Sequence, residues 1–364
     1  MNDTVLFFFI VVVVLGIIVF ISRKKKKVVS EKPKEYFLIK HSGNPIASPQ
    51  SHNEWEACGV FNSGAYIDET GTVHLLYRAV GRDGVSRIGY AKSEDGYSIS
   101  ERTPYPIFFL ENIRIRNHFF YDPKQFPSGG SWGGAEDPRI VEIDGRLYLT
   151  FNAFDGWDFI RIGVTSITKT DFLAGRWNWS KTRIISPEDQ LHKNWILFPE
   201  KIGGKFAILH SISPDVLVDY RESLDAIGTE EPHIESPTGP RTAVRKDMWD
   251  YKPRGAGSPP LKTEKGWLVL YHATGEQESY KYKIGALLLD LDDPKKIIAR
   301  SPAPLLMPDC WYEDDEKPGI VYTCGAIIKG ETLLIYYGGG DKHLCVAETK
   351  LSDLLSWMIS TKNK

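Results

Sequence analysis

Five times between residues 73 and 348 the chain repeats one pattern. An apolar run ends in an aromatic or polar residue, a polar loop follows, and a second run carries small residues around a glycine. The copies are 73–79 (VHLLYRA) with 87–92 (RIGYAK), and 146–153 (RLYLTFNA) with 161–165 (RIGVT). Next come 205–211 (KFAILHS) with a weaker partner near Val216, and 266–273 (GWLVLYHA) with 283–289 (KIGALLL). The last is 332–338 (TLLIYYG) with 343–348 (HLCVAE). Short runs of this kind, bounded by glycine and proline, read as strands. Their spacing of roughly 60 to 75 residues is that of one four-stranded sheet plus long loops. The pattern predicts an all-β fold, a five-bladed β-propeller over residues 37–364. A β-sandwich would account for the strands but not for five similar pairs.

The amino terminus is different. Residues 5–21 (VLFFFIVVVVLGIIVFI) are apolar and uncharged, at the short end for a bilayer span, and Ser22, Arg23 and Lys24 to Lys27 follow at once. A cleavable signal peptide carries its positive charge before the apolar run, and here the order is reversed. The pattern predicts a single transmembrane helix, with residues 1–27 as anchor and basic flank and 28–36 as a short linker. Positive charge on the lysine side places the folded domain in the cytoplasm, as a single-pass membrane protein.

The formal net charge of −2 shows no nucleic-acid footprint. Four cysteines without a close pair give neither a disulfide framework nor a zinc site. No metal or organic cofactor is expected.

Polar residues interrupt the apolar strands at matching points. Asn62 and Ser63 follow Gly59-Val60-Phe61, Arg78 ends LLYR, and Arg87 opens the RIGYA run. Glu136-Asp137-Pro138-Arg139 follows the glycines at 133 and 134. His272 ends LVLYH, and Asp341 follows three glycines after IYY. Any one of these could be a turn or capping residue. In a propeller, however, equivalent positions converge on the central channel. Two aspartates and several arginines in one channel suit sugar chemistry. One carboxyl protonates a leaving oxygen, and others hold ring hydroxyls.

Together these residues resemble glycoside hydrolase family 130, inverting β-mannoside phosphorylases and β-mannosidases on five-bladed propellers. The resemblance runs from about Asn44 to Ala347. It is carried by Asn44-Pro45-Ile46, by Trp55-Glu56 with Gly59-Val60-Phe61-Asn62, and by LLYRAVG with SRIGYAKSEDG. It continues through Gly134-Ala135-Glu136-Asp137-Pro138-Arg139 and Leu197-Phe198-Pro199-Glu200-Lys201. Tyr271-His272, Tyr282, Gly285-Ala286-Leu287-Leu288-Leu289-Asp290 and the closing IYYGGGD complete it. The resemblance implies that Asp137 is the general acid. It also implies that Asn62, Ser63, Arg78, Arg87 and Asp341 grip the mannose, and that His272 and Tyr282 help to hold inorganic phosphate as co-substrate.

One departure bears on the phosphate. Phosphorylases of the family often carry arginine after the histidine that His210 matches, and Ser211 stands there. Lys193, Lys201 and Lys205 are nearby cations that could replace it. The expected activity is therefore cleavage of β-mannosidic bonds, favoured slightly as phosphorolysis to mannose 1-phosphate. Hydrolysis is the alternative, with a base among Glu200, Asp215 and Asp250. A non-catalytic sugar-binding propeller is a further one. A β-mannoside oligosaccharide is the expected partner; linkage and oligomeric state are left open.

Overall fold

The middle strand of every repeat holds a mostly apolar run because both of its faces are covered. In a sheet with one wet face the pattern would alternate. The computed structural model describes residues 37–111, 131–154, 160–188, 190–236 and 244–361. Strand β1 (Ile39–Lys40) comes first in the chain. The first blade then holds β2 (Gly59–Ile67), β3 (Val73–Val80), β4 (Val85–Ser93) and β5 (Glu101–Arg102). The second holds β6 (Gly133–Ile143), β7 (Arg146–Phe154), β8 (Ile160–Thr168) and β9 (Arg183–Ile184), followed after β8 by a short helix α1 (Lys169–Leu173). The third is β10 (Ile196–Leu197), β11 (Phe206–Ile212) and β12 (Val216–Arg221), so the weak partner near Val216 is a strand. The fourth is β13 (Lys252–Ala256), β14 (Leu261–Thr263), β15 (Gly266–Thr274), β16 (Tyr282–Leu289) and β17 (Ile297–Arg300). The fifth is β18 (Val321–Lys329), β19 (Thr332–Gly339) and β20 (His343–Lys350), after which the chain ends in helix α2 (Leu351–Ser360).

Pairing within each blade is antiparallel. A short parallel contact, Val85 opposite Gly133 and Ser86 opposite Gly134, links the first blade to the second. The ring closes with chain from its other end: β1 pairs with β20, Ile39 opposite Glu348 and Lys40 opposite Ala347. Lys40 reinforces the closure from within, its Nζ 2.6 Å from buried Glu313 and 2.5 Å from Asp309.

The core is divided as the fold requires. Five apolar clusters each lie between two neighbouring blades. Tyr66 and Ile88 meet Leu147 and Phe151; Ile162 and Val164 meet Leu197 and Ile208; Leu209 and Val216 meet Trp267 and Leu287. Leu268 and Ile284 meet Ile335 and Cys345, and Val346 and Tyr336 return to Leu75 and Val60. Each blade thus buries both faces, and the sheets form a ring without a free face.

One expectation is corrected. A single transmembrane helix, with the membrane anchorage and the single-pass, cytoplasm-facing topology drawn from it, is not supported. Among the described residues no helix is long and apolar enough to cross a membrane, and α2 has only 10 residues. Residues 5–21, on which that expectation rested, lie outside the described residues, as does the linker assigned to 28–36.

Candidate active site

Bulges in the inner strands aim the polar residues. In β2 the pairing slips between Phe61 and Gly64, so Asn62 and Ser63 face a single residue of β3. In β6 it slips between Glu136 and Arg139, around Asp137 and Pro138. β13 slips around Arg254, and β18 around Cys324. A bulge leaves residues out of the ladder and turns their side chains, a device common beside active sites. Asn62 and Asp137 adopt left-handed backbone, φ 48° and 51°, as do Asn194 at 66° and Asp341 at 55°. Asn and Asp tolerate that region better than other residues with a Cβ. Close approach of neighbouring inner strands demands glycine at Gly64, where a Cβ would stand 2.7 Å from the Pro138 carbonyl oxygen.

These residues line one cavity of about 310 Å³, together with Arg78, Lys193, Arg254, Tyr282, Lys317, Ile320 and Tyr322. Asp137 lies at its wall, 4% exposed. Its Oδ1 accepts from Asn62 Nδ2 at 2.8 Å and from Arg78 Nη1 at 3.2 Å, and its Oδ2 accepts from Asn152 Nδ2 at 3.1 Å. Arg139 supports the bulge from behind, donating to the Asp137 carbonyl (2.8 Å), the Gly257 carbonyl (2.7 Å) and Asn194 Oδ1 (2.9 Å). Tyr322 also donates to Asn194 Oδ1, at 2.6 Å. Across the cavity Arg254 Nε donates to the Tyr282 hydroxyl at 3.0 Å, and Lys317 Nζ lies 3.1 Å from Asp341 Oδ2.

Charge decides the state of Asp137. Burial alone would raise its proton affinity, but Arg78, Arg139, Lys193 and the Asn62 hydrogen bond outweigh burial and hold the carboxyl below its usual range. Without substrate it is a carboxylate. His272 goes the other way: burial, with help from Arg139, pushes it down to about 3, so its ring is neutral.

Six of the ten expected site residues share the cavity: Asn62, Arg78, Asp137, Lys193, Tyr282 and Asp341. The other four are placed elsewhere. Ser63 is buried, its Oγ donating to the Gly64 carbonyl at 2.7 Å. Arg87 forks onto Asp83, at 3.1 and 2.6 Å. Lys201 pairs with Asp144, in the turn between β6 and β7, at 2.9 Å. His272 is buried behind Tyr322, their rings stacked 3.7 Å apart, so the tyrosine stands between it and the cavity. Arg254, Lys317 and Tyr322 line the cavity without having been singled out. Arg254 sits in the sequence Lys-Pro-Arg-Gly, where proline followed by glycine in a strand marks an irregularity. Nothing in the sequence around Lys317 sets it apart from a surface lysine.

Among the described residues one cluster, Asp309, Cys310 and Glu313, has metal-ligand spacing. Its centre belongs to the Lys40 ammonium, which supplies the cation.

Comparison with known proteins gives the family. The glycoside hydrolase 130 profile, described as beta-1,4-mannooligosaccharide phosphorylase, matches residues 21–360. The 1,2-beta-oligomannan phosphorylase of Thermoanaerobacter sp. is 33% identical over 87% of this chain and 98% of its own length. The Beta-1,2-mannobiose phosphorylase of the same organism is 34% identical over 85% and 96%. In structure, the Listeria innocua Beta-1,2-mannobiose phosphorylase solved with beta-1,2-mannobiose superposes with a TM-score of 0.65. It is 24% identical over 88% of this chain and 99% of its own, which speaks to the fold alone.

Proposed function

The chain belongs to glycoside hydrolase family 130, and from that premise we propose that it is an inverting phosphorylase of β-1,2-linked mannosides. The proposed products are α-mannose 1-phosphate and the shortened acceptor. The linkage follows the relatives at 33–34% identity, whose names specify β-1,2 bonds.

The observation that carries phosphorolysis over hydrolysis is the distribution of charge around Asp137. Lys193 and Arg254 line the same cavity as the acid, with Asn194 and Tyr282 as further polar partners. A phosphate dianion needs such clustered donors. The guanidinium absent at Ser211 comes in this reading from another blade, by way of Arg254. None of the three carboxylates that might have activated water lines the cavity. Glu200 pairs with Lys262 at 2.7 Å. Asp250 accepts from Tyr271 at 2.7 Å and is flanked by Arg245 and Arg300. Asp215 is exposed in the turn between β11 and β12.

The roles follow from the chemistry. Asn62, Arg78 and Asp341, which line the cavity, hold the mannose hydroxyls. Phosphate, gripped by Lys193 and Arg254, attacks C1 from the face opposite the leaving oxygen. As the C1–O bond breaks, the proton of Asp137 passes to that oxygen, which departs as a hydroxyl. Anion binding also prepares the acid. Negative charge beside Lys193 and Arg254 offsets the cations that keep Asp137 ionised, so the carboxyl can take up the proton it delivers.

The reverse reaction tests the proposal. Supplied with α-mannose 1-phosphate and mannose, the enzyme should release inorganic phosphate and form a β-linked disaccharide. Absence of both products under conditions where β-mannosides are cleaved would exclude phosphorolysis.

A further inference from the structure

Glu136, the residue before the acid, is fully buried and takes no part in the steps above. Its Oε1 accepts from Arg78 Nη2 at 2.9 Å and from Ser131 Oγ at 2.7 Å. Among the described residues its Oε2 has no hydrogen-bond partner, and Lys193 Nζ lies 3.8 Å away. The Arg78 guanidinium is therefore shared between two adjacent carboxylates. Nη2 serves Glu136 at 2.9 Å, Nη1 reaches Asp137 at 3.2 Å, and Nε is fixed on Ser86 Oγ at 2.9 Å. A buried carboxylate is costly unless it is paired and hydrogen-bonded, and here Arg78 and Ser131 supply the partners.

We infer that Glu136 is a positioning residue for the proton donor: it holds one arm of the Arg78 fork and counters its charge, which leaves Asp137 able to carry a proton. The inference rests on Asp137 being the general acid. Among the described residues the Asp137 carboxylate accepts from the N–H donors of Asn62, Arg78 and Asn152, and each favours the ionised form. The charged and titratable groups around it are Arg78 on β3, Arg139 and Glu136 on β6, Lys193 ahead of β10, His272 on β15, and Tyr322 and Cys324 on β18. Across the cavity stand Arg254, Tyr282 and the Lys317–Asp341 pair. His272 is neutral, and burial keeps the Tyr322 hydroxyl and the Cys324 thiol protonated. Glu136 is thus the negative group closest in sequence to the acid and the one that shares its arginine.

The experiment is the pH profile of β-1,2-mannobiose phosphorolysis by the full chain carrying Glu136→Gln. The amide keeps an acceptor for Ser131 and Arg78 but removes the countercharge, so Arg78 acts undiminished on Asp137. The alkaline limb of kcat should move to lower pH by roughly one unit, while KM for the mannoside changes little. A merely structural role would lower the rate equally at every pH; an unmoved limb overturns the inference. Should this variant not fold, Glu136→Asp serves, because it keeps the charge but draws it back from Arg78 Nη2. The limb should move the same way by a smaller amount, and an unmoved limb there overturns the inference equally. If the unaltered enzyme cleaves no β-mannoside, it is the functional reading that fails, a result separate from either outcome.

Discussion

Asn62 Nδ2 donates to Asp137 Oδ1 at 2.8 Å, so the bulge of one blade is bonded directly to the bulge of the next. Both residues are in left-handed backbone, and the contact closes over a carboxylate that is almost wholly buried. The Asp137 carboxylate is thereby held by two blades at once, which fixes its direction more firmly than one strand end could.

Replacing Asp137 with asparagine keeps the shape and removes the transferable proton. Turnover should fall by about 10²–10⁴, with mannoside binding and the folded state retained. Calorimetric titration with β-1,2-mannobiose, alongside initial rates, separates the two. Near-normal turnover would remove Asp137 from the role.

Asn62 carries two duties that substitution can divide. Asn62→Gly relieves the left-handed backbone, so its Tm should stay close to that of the parent, whereas Asn62→Ala adds about 1 kcal/mol of backbone cost. Both lose the contact to Asp137 and should lose activity, by about tenfold or more. Equal stability of the two variants would contradict the conformational part of the argument. Gly338→Ala offers an independent check, since a Cβ there would stand 2.1 Å from Asn62 Oδ1 and displace the carboxamide.

The arginine and lysines separate cleanly. Arg254→Met and Lys193→Met should each raise the phosphate requirement about tenfold or more, the value of one charge-assisted contact of roughly 1.5–3 kcal/mol. Lys201→Met should leave it unchanged, because that side chain is committed to Asp144 in a turn away from the cavity. Phosphate saturation curves at fixed mannoside decide this. A raised requirement in the Lys201 variant would mean that the charge map is wrong.

How much of this was readable in the sequence depends on the strand bulges. The five strand pairs could be read because both faces of the middle strands are buried, so apolar runs such as residues 73–79 stand out. Asp137 could be found because Glu-Asp-Pro-Arg sits next to glycines. Whether a residue on an inner strand reaches the channel is another matter. A bulge reverses the alternation that a strand pattern assumes. Ser63 and Asn62 are neighbours in one bulge, yet Asn62 lines the cavity and Ser63 turns back to its own backbone. The family resemblance implied that His272 helps to hold phosphate, but Tyr322, from the next blade, covers it. Arg254 and Lys317 reach the site by tertiary placement alone. The apolar run at residues 5–21 illustrates the opposite limit, a local pattern strong enough to dominate the topology drawn from it.

Acid should destabilise the propeller through its buried histidines. Burial lowers His192 and His210 to about 4 and His272 to about 3, against roughly 6.5 in the unfolded chain. Between those values the unfolded chain binds more protons. The stability is therefore fully present above about pH 6.5 and is lost as pH falls toward 4, by up to about 1.4 kcal/mol per unit for each histidine. The depressed Asp137 adds nothing in this window, since its contribution is lost only below the ordinary carboxylate range. Denaturant unfolding between pH 7 and 4.5 should show this slope. His210→Gln, which can still bond Ser236, should make it shallower by about one proton. A stability independent of pH over that range would contradict the account.

The central claim, that phosphate and not water is the nucleophile in the cavity of Asp137, is tested most directly by product analysis. Purified enzyme is incubated with β-1,2-mannobiose at phosphate concentrations from zero to several millimolar and followed by ³¹P and ¹H NMR. The account predicts α-mannose 1-phosphate and mannose in equal amounts, at a rate that rises with phosphate and vanishes without it. Free mannose released at the same rate whether or not phosphate is present, with no phosphorylated sugar, would contradict it.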